Sequence, residues 1–285
     1  MARPLSSYQR PRSIDVALEA VATAPLTVLA GGTDYHPARV GQPCDEDILD
    51  ITALAELRGI EEQDDHWRIG ALTSWSTLVR APLPPWFRGL QLAAREVGGE
   101  QIQNAGTIGG NLCNASPAAD GVPPLLAQGA VVELASLDGR EQLPLGDFIR
   151  GNRRTVLRPD QLLTAVLVPK PKASRAAGHF VKLGARRYLV ISLVMVGASL
   201  EVGQNGRVEV ARLAVGACSP VAMRLPAAER ALVGAPCDGR LGALLQPEHV
   251  TGLTPIDDVR ASAAYRSDVA LTLVRRAVTE LVEIL

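Results

Sequence analysis

Hydrophobic positions near the start of the chain switch between two periods. Ile14, Leu18 and Val21 recur at helical spacing behind Ser13, a residue suited to capping, and Leu26-Thr27-Val28-Leu29-Ala30 then runs apolar and β-branched. The pattern predicts a helix followed by a strand. Gly31 and Gly32 end that strand abruptly, and Ile48-Leu49-Asp50-Ile51 predicts a second one, making a small α/β unit. Its glycine turn lies at a strand end, where ligands often sit.

From about residue 60 the character changes. Trp67-Arg68-Ile69-Gly70-Ala71 predicts a strand, and Ser74 predicts the cap of a helix carrying Trp75, Leu78 and Val79, closed by a turn at Pro82, Pro84 and Pro85. Gln91 to Val97 reads as a short helix stopped by Gly98-Gly99. Gln101 to Pro124, rich in Gly, Asn, Ser, Ala and Pro, predicts a long loop. Its near absence of charge favours a functional loop over a solvated, disordered one. Val131 to Leu134, turned at Asp138-Gly139, and Leu162 to Val168, ended by Pro169 and Pro171, are further strands.

The stretch from Pro169 to Gly178 reads as a domain boundary. Beyond it Phe180 to Leu183, Leu189 to Leu200 and Val208 to Val215 read mainly as sheet, the last two joined around the hairpin signal Asn205-Gly206. Tyr265, Val269, Leu273, Ala277 and Leu281 recur every four residues and predict an amphipathic terminal helix. No fixed-period repeat points to a solenoid. The expected organisation is a domain over 1–172, in subdomains of about 1–58 and 59–172, and a second domain over 178–285.

Composition narrows the function classes. The 285 residues are 47% hydrophobic and 21% charged, as a folded globular protein requires. With 29 Lys plus Arg against 30 Asp plus Glu, the chain lacks the one-sign surplus of a phosphate-backbone binder, so no nucleic-acid partner is expected. Met1 to Arg12 has no apolar core of signal-peptide length, and the longest apolar run falls well short of the ~20 residues of a membrane helix. A cytoplasmic protein without a membrane span is expected.

Other reactive side chains form no recognisable centre. Cys44, Cys113, Cys218 and Cys237 lie far apart, without iron-sulfur or zinc spacing, and read as isolated thiols in a reducing compartment. His36, His66, His179 and His249 are scattered and read as surface residues. Glu61-Glu62 with Asp64-Asp65 reads as a solvated turn. Arg153-Arg154 and Arg186-Arg187 are compatible with a solvated face or with contact to a partner or an anionic acceptor.

Two glycine loops carry the chemistry. In Ala30-Gly31-Gly32-Thr33-Asp34, backbone N–H groups free of bulky side chains could converge on an anion, with the Thr33 hydroxyl as a further donor; a capped glycine turn is the alternative. Thr107-Ile108-Gly109-Gly110-Asn111 repeats the composition. Two such nests suit a dinucleotide, whose pyrophosphate needs close backbone approach. Neither matches the Rossmann or P-loop spacing.

These two loops, with Asn114-Ala115-Ser116-Pro117-Ala118-Ala119-Asp120, resemble the FAD-binding medium subunits of molybdenum hydroxylases, the carbon monoxide dehydrogenase and xanthine dehydrogenase type. Pro159-Asp160-Gln161-Leu162-Leu163, Phe180-Val181-Lys182-Leu183 and Tyr265-Arg266 extend the likeness over nearly the whole chain. The resemblance implies an α+β fold: a two-subdomain FAD-binding domain of the p-cresol methylhydroxylase type plus a C-terminal sheet-and-helix domain. It implies that Ala30, Gly31, Gly32, Thr33 and Asp34, with Thr107, Ile108, Gly109, Gly110 and Asn111, hold the phosphates and ribitol of FAD. By the same resemblance Ser116 and Asp120 lie near the flavin or its ribityl chain, Leu163 belongs to the site, and Lys182 approaches the flavin's electron-rich end. For Lys182 an edge-strand surface charge is the alternative, and for Asp120 a loop cap. Tyr35 and Tyr188 are aromatic candidates for shielding the ring, with core packing as the alternative.

The function implied is electron transfer. A large partner subunit would hold molybdopterin, a small partner subunit two [2Fe-2S] clusters, and FAD in this chain would pass electrons to a terminal acceptor within a dimer of heterotrimers. The chain lacks the cysteine-rich insertion of relatives that carry an additional cluster. The rival readings are a free-standing flavin oxidoreductase of the same fold and a flavin-free scaffold subunit.

Overall fold

The computed structural model describes residues 7–43, 45–186 and 189–285. Cys44, Arg187 and Tyr188, singled out above, lie outside the described residues.

The chain opens with β1 (Tyr8–Gln9), α1 (Ile14–Thr23), β2 (Thr27–Leu29) and β3 (Ile48–Asp50). The strands form a parallel sheet in the order β1-β3-β2, with Thr27 opposite Ile48 and Leu29 opposite Asp50. Helix α1 buries Ala17, Leu18 and Val21 against it, the apolar face that the spacing predicts. Ser13 ends the helix through its carbonyl, which accepts from Ala17 N–H at 3.2 Å, and not through its hydroxyl.

Next come β4 (Ile60–Glu62), β5 (His66–Gly70), α2 (Trp75–Arg80), α3 (Arg88–Glu96), α4 (Glu100–Ala105), α5 (Ile108–Asn114) and α6 (Val122–Ala127). They lead to β6 (Val131–Ser136), β7 (Gly139–Pro144), α7 (Leu145–Phe148), the ribbon of β8 (Ile149–Gly151) and β9 (Arg154–Thr155), and β10 (Leu162–Pro169). Strands β4, β5, β6, β7 and β10 form an antiparallel sheet ordered β4-β5-β10-β6-β7. Its core holds Trp75, Phe87, Ile108, Val166 and Phe148. Ser74 caps α2 as its position suggests, its hydroxyl accepting from Thr77 N–H at 3.2 Å.

The expected long loop from Gln101 to Pro124 is instead mostly α4, α5 and the start of α6. Gly, Asn and Pro disfavour helix in isolation, but here tertiary contacts override propensity. Thr107 caps α5, Ile108 and Leu112 anchor it in the core, and Pro123 sits in the first turn of α6, where its missing N–H costs nothing.

The last part comprises β11 (Arg175–Leu183), β12 (Val194–Val202), β13 (Val208–Gly216), β14 (Met223–Arg224), α8 (Pro226–Leu232) and α9 (Ala263–Val282), the strands forming an antiparallel sheet in chain order. Strand β11 starts at Arg175, inside the segment read as a boundary. The run read as sheet from Leu189 becomes strand only at Val194, and all nine residues of β12 are buried. Helix α9 covers one face of β12 and α3 with α6 the other, which explains a continuous apolar run without alternation. The buried face of α9 is Arg266, Ala270, Leu273, Val274, Ala277, Val278 and Leu281, while Tyr265 at the end of the predicted stripe is 48% exposed. A strict four-residue repeat from Tyr265 to Leu281 drifts off one face because the helix has 3.6 residues per turn.

The packing of helices on the last sheet is polar at chosen points. Ser199 Oγ donates to the Ala127 carbonyl at 2.6 Å, and His179 is buried on β11 with Nε2 2.7 Å from Glu280 Oε2 of α9. His179 is therefore no surface residue, contrary to the reading from its isolation in sequence: its partner is about a hundred positions away. No helix among the described residues is long and apolar enough to cross a membrane.

Candidate cofactor site

Strand β2 ends at Leu29 and the chain turns at once through Ala30 to Asp34. Gly32 takes φ +68°, a left-handed conformation open to glycine, and its carbonyl accepts from His36 N–H at 3.0 Å. A Cβ on Gly31 would overlap the carbonyl of Ala105, so the missing side chain is what lets this loop close against the end of α4. The N–H groups of Gly31, Gly32, Thr33 and Asp34 donate to no protein acceptor among the described residues. Unpartnered amides in succession are what a nest for an anion requires.

The second loop differs. Ile108 N–H donates to Thr73 O at 3.0 Å, Gly109 N–H to Ala71 O at 2.9 Å, and Asn111 N–H to Thr107 O at 3.0 Å. Gly110 N–H donates to the Thr107 hydroxyl at 3.1 Å. Its amides are engaged within the protein, so it is not a second nest, as the matching composition suggested. It contributes the bare Cα surface of Gly110 and the Asn111 side chain, whose buried Oδ1 has no hydrogen-bond partner among the described residues.

A cavity of about 420 Å³ opens between the loops, lined by Ala30 to Tyr35 on one side and by Thr107, Gly110, Asn111 and Asn114 on the other. An apolar pocket of about 100 Å³ adjoins it, sharing Ala30, Gly110 and Cys113 and adding Gly109 and Leu163. Ile108 is fully buried in the core and lines neither space; nor do Ser116, Asp120 and Lys182. Tyr35 reaches the cavity wall with the Arg39 guanidinium stacked 3.8 Å from its ring centre.

Residues that composition alone did not place complete the wall. Asn114, within a quoted motif but assigned no role, lines the cavity, as does Cys113, whose thiol burial pushes up to about 12. Arg153 of the double arginine reaches Asp34, Nη1 to Oδ2, at 3.0 Å. The doublet itself was the only sequence signal for it.

The sequence model of the family described as the FAD binding domain in molybdopterin dehydrogenase matches residues 3–171. A second, the CO dehydrogenase flavoprotein C-terminal domain, matches residues 179–281. The chain belongs to the FAD-binding subunits of the molybdenum hydroxylases. It is 31% identical over 97% of its length, and 96% of the relative's, to the xanthine dehydrogenase FAD-binding subunit of Escherichia coli O157:H7. It is 36% identical to the nicotinate dehydrogenase FAD-subunit of Eubacterium barkeri, over 74% of this chain and 73% of that one. A solved carbon monoxide dehydrogenase from Hydrogenophaga pseudoflava superposes with a TM-score of 0.85 at 28% identity, covering 97% of each chain.

As a member of this family, the subunit is an oxidoreductase flavoprotein with an FAD-binding domain, a C-terminal domain and FAD as its cofactor. Its cavity fits that group: unpartnered amides suit a pyrophosphate, an orphaned amide oxygen suits a hydroxyl donor, and an apolar pocket adjoins both. Beside it, Lys182 Nζ lies 2.7 Å from Asp120 Oδ2 and Ser192 Oγ donates to Asp120 Oδ1 at 2.6 Å. Burial pushes the Asp120 carboxyl up, against the pull of Lys182 and Ser192. Lys182 is thus a buried, paired cation and not an edge-strand surface charge, and Asp120 serves this ion pair rather than a loop cap.

Proposed function

We propose that this chain is the FAD-carrying electron-transfer subunit of a cytoplasmic molybdenum hydroxylase, receiving electrons from the [2Fe-2S] clusters of a small partner subunit and delivering them to a terminal acceptor. A large partner subunit would hold the molybdopterin at which the organic substrate is oxidised, the whole forming a dimer of heterotrimers. The names of the relatives, one a FAD-subunit and one a FAD-binding subunit, support a division of labour among chains.

The observation that carries the reading is the row of residues from Gly31 to Asp34 that line the cavity with amides unpartnered among the described residues. Ala30, Gly31, Gly32, Thr33 and Asp34 would hold the FAD pyrophosphate through backbone N–H groups and the Thr33 hydroxyl. Thr107, Gly109, Gly110 and Asn111 would form the facing wall, Gly110 by leaving room and Asn111 by offering its amide. Leu163 would close the apolar pocket and Ile108 would anchor α5 without touching the cofactor. Ser116, Asp120 and Lys182 would position the segment after Asn114, which Lys182 ties to the last sheet. Residues 1–172 would make up the cofactor-binding unit and 178–285 the C-terminal unit.

Bound FAD supplies a carrier that accepts electrons in pairs and exchanges them singly. The chain's own part is to bind it, to exclude water from the cavity and to present it to partners. Mixing the flavin-loaded chain with its reduced [2Fe-2S] subunit, without oxygen, should bleach the flavin absorption. A flavin that stays oxidised beside a cluster that stays reduced contradicts the proposal.

A further inference from the structure

Two basic side chains line the cavity, and they are not equivalent. The Arg39 guanidinium is engaged, 2.6 Å from Glu46 Oε1 and stacked on Tyr35. Arg153 meets Asp34 alone among the described residues, through one nitrogen at 3.0 Å. Arg153 is held in place by its backbone: its φ is +54°, and its N–H donates at 3.1 Å to the carbonyl of Ala115, itself at φ +48° at the end of α5. Both left-handed residues sit in turns, Ala115 as the cap that ends α5 and Arg153 between β8 and β9, and the hydrogen bond between them fixes where the guanidinium starts from. With side chains 61% and 50% exposed, the ion pair to Asp34 contributes little stability and leaves the guanidinium open to the cavity that both residues line.

The charge balance of the cavity gives Arg153 its role. Asp34 sets a carboxylate on the loop whose amides face the cavity, and a pyrophosphate would bring further negative charge beside it. A guanidinium has donors in a planar fork, and Asp34 meets it through a single nitrogen here. The geometry points to Arg153 as an FAD-binding residue: its guanidinium neutralises the pyrophosphate at the cavity mouth, with Asp34 orienting it from the amide loop. This rests on the proposed placement of FAD between the glycine loops. It makes retention of the cofactor depend on a charged contact as well as on neutral amides.

The test uses the full chain stripped of flavin and titrated with FAD and with riboflavin, which lacks the pyrophosphate, at several salt concentrations. Arg153→Gln should weaken FAD binding by roughly 30-fold, the scale of a charge-assisted contact, and flatten its salt dependence, while riboflavin binding is unchanged. Arg153→Lys should retain part of the affinity. Matching thermal melting of wild type and variants excludes misfolding as the cause. Equal weakening of FAD and riboflavin would mean that Arg153 merely shapes the mouth, and unchanged FAD binding would mean that it takes no part; either overturns the inference. A wild-type chain that binds neither flavin overturns the cofactor placement itself.

Discussion

Lys182 of β11 and Asp120, on the segment just before α6, form an ion pair at 2.7 Å although 62 positions separate them, with side chains 7% and 9% exposed. The pair joins the cofactor-binding part of the chain to the last sheet. Removing one partner leaves a desolvated charge without compensation, so Lys182→Met should lower stability by about 3 kcal/mol in denaturant unfolding. Adding Asp120→Leu should recover much of that loss, because an apolar pair needs no desolvation. A single variant as stable as wild type would show that the pair has no structural role.

The neighbouring glycines separate fold from site. A Cβ at Gly109 would press on Ala71, including its carbonyl at 2.8 Å, whereas one at Gly110 meets only the Thr107 hydroxyl, at 2.9 Å. Gly109→Ala should therefore cost about 1 to 3 kcal/mol through overpacking. Gly110→Ala, a change that favours helix, should leave stability within about 1 kcal/mol while weakening FAD binding. Gly110→Asp, bringing negative charge to the pyrophosphate, should abolish FAD retention. Thermal melts and flavin titrations on the same samples check both arms.

These glycines also show what was legible in the sequence. The doublets and their hydroxyl neighbours marked the cavity walls, and the hydrophobic periods gave α1, α2 and most strands. Equal composition hid unequal roles: among the described residues Gly31 to Asp34 leave their amides unpartnered, while Ile108 to Asn111 use theirs in capping and in contacts with Ala71 and Thr73. That difference depends on which strand end lies alongside, which no local pattern contains. The same holds for Arg153 on Asp34 and His179 on Glu280, pairs made by chain topology. The helices between Gln101 and Pro124 were missed because caps and core anchors outweigh the poor helix propensity of Gly, Asn and Pro.

Acid should loosen the seam around His179. Burial holds its imidazole below the ordinary value of 6.5, against the pull of Glu280, so the unfolded chain takes up a proton first as pH falls. Stability is then full above the unfolded value and declines as pH drops from about 7 toward the folded value. Burial raises Glu280, but Arg276 and His179 outweigh it and hold the carboxyl below its ordinary 4.5, which adds a further loss at lower pH. Urea midpoints at pH 7.5 and 5.5 should show this decline in wild type and a smaller one in His179→Gln; equal declines would exclude His179 as a source.

Cys113 faces the cavity, yet burial pushes its thiol up to about 12, so almost none is thiolate near neutrality. Alkylation at pH 8 followed by peptide mass analysis should find it slow in the native chain and fast after unfolding. Rapid native labelling would mean that the thiol ionises far more readily than a value of about 12 allows.

The most direct measurement is the visible spectrum of the purified chain, followed by denaturation and chromatographic identification of whatever is released. A flavin spectrum with FAD released unmodified and equimolar with protein is the predicted result. A colourless chain that takes up no added FAD would contradict the account, reducing the amide nest at Gly31 to Asp34 to a structural turn.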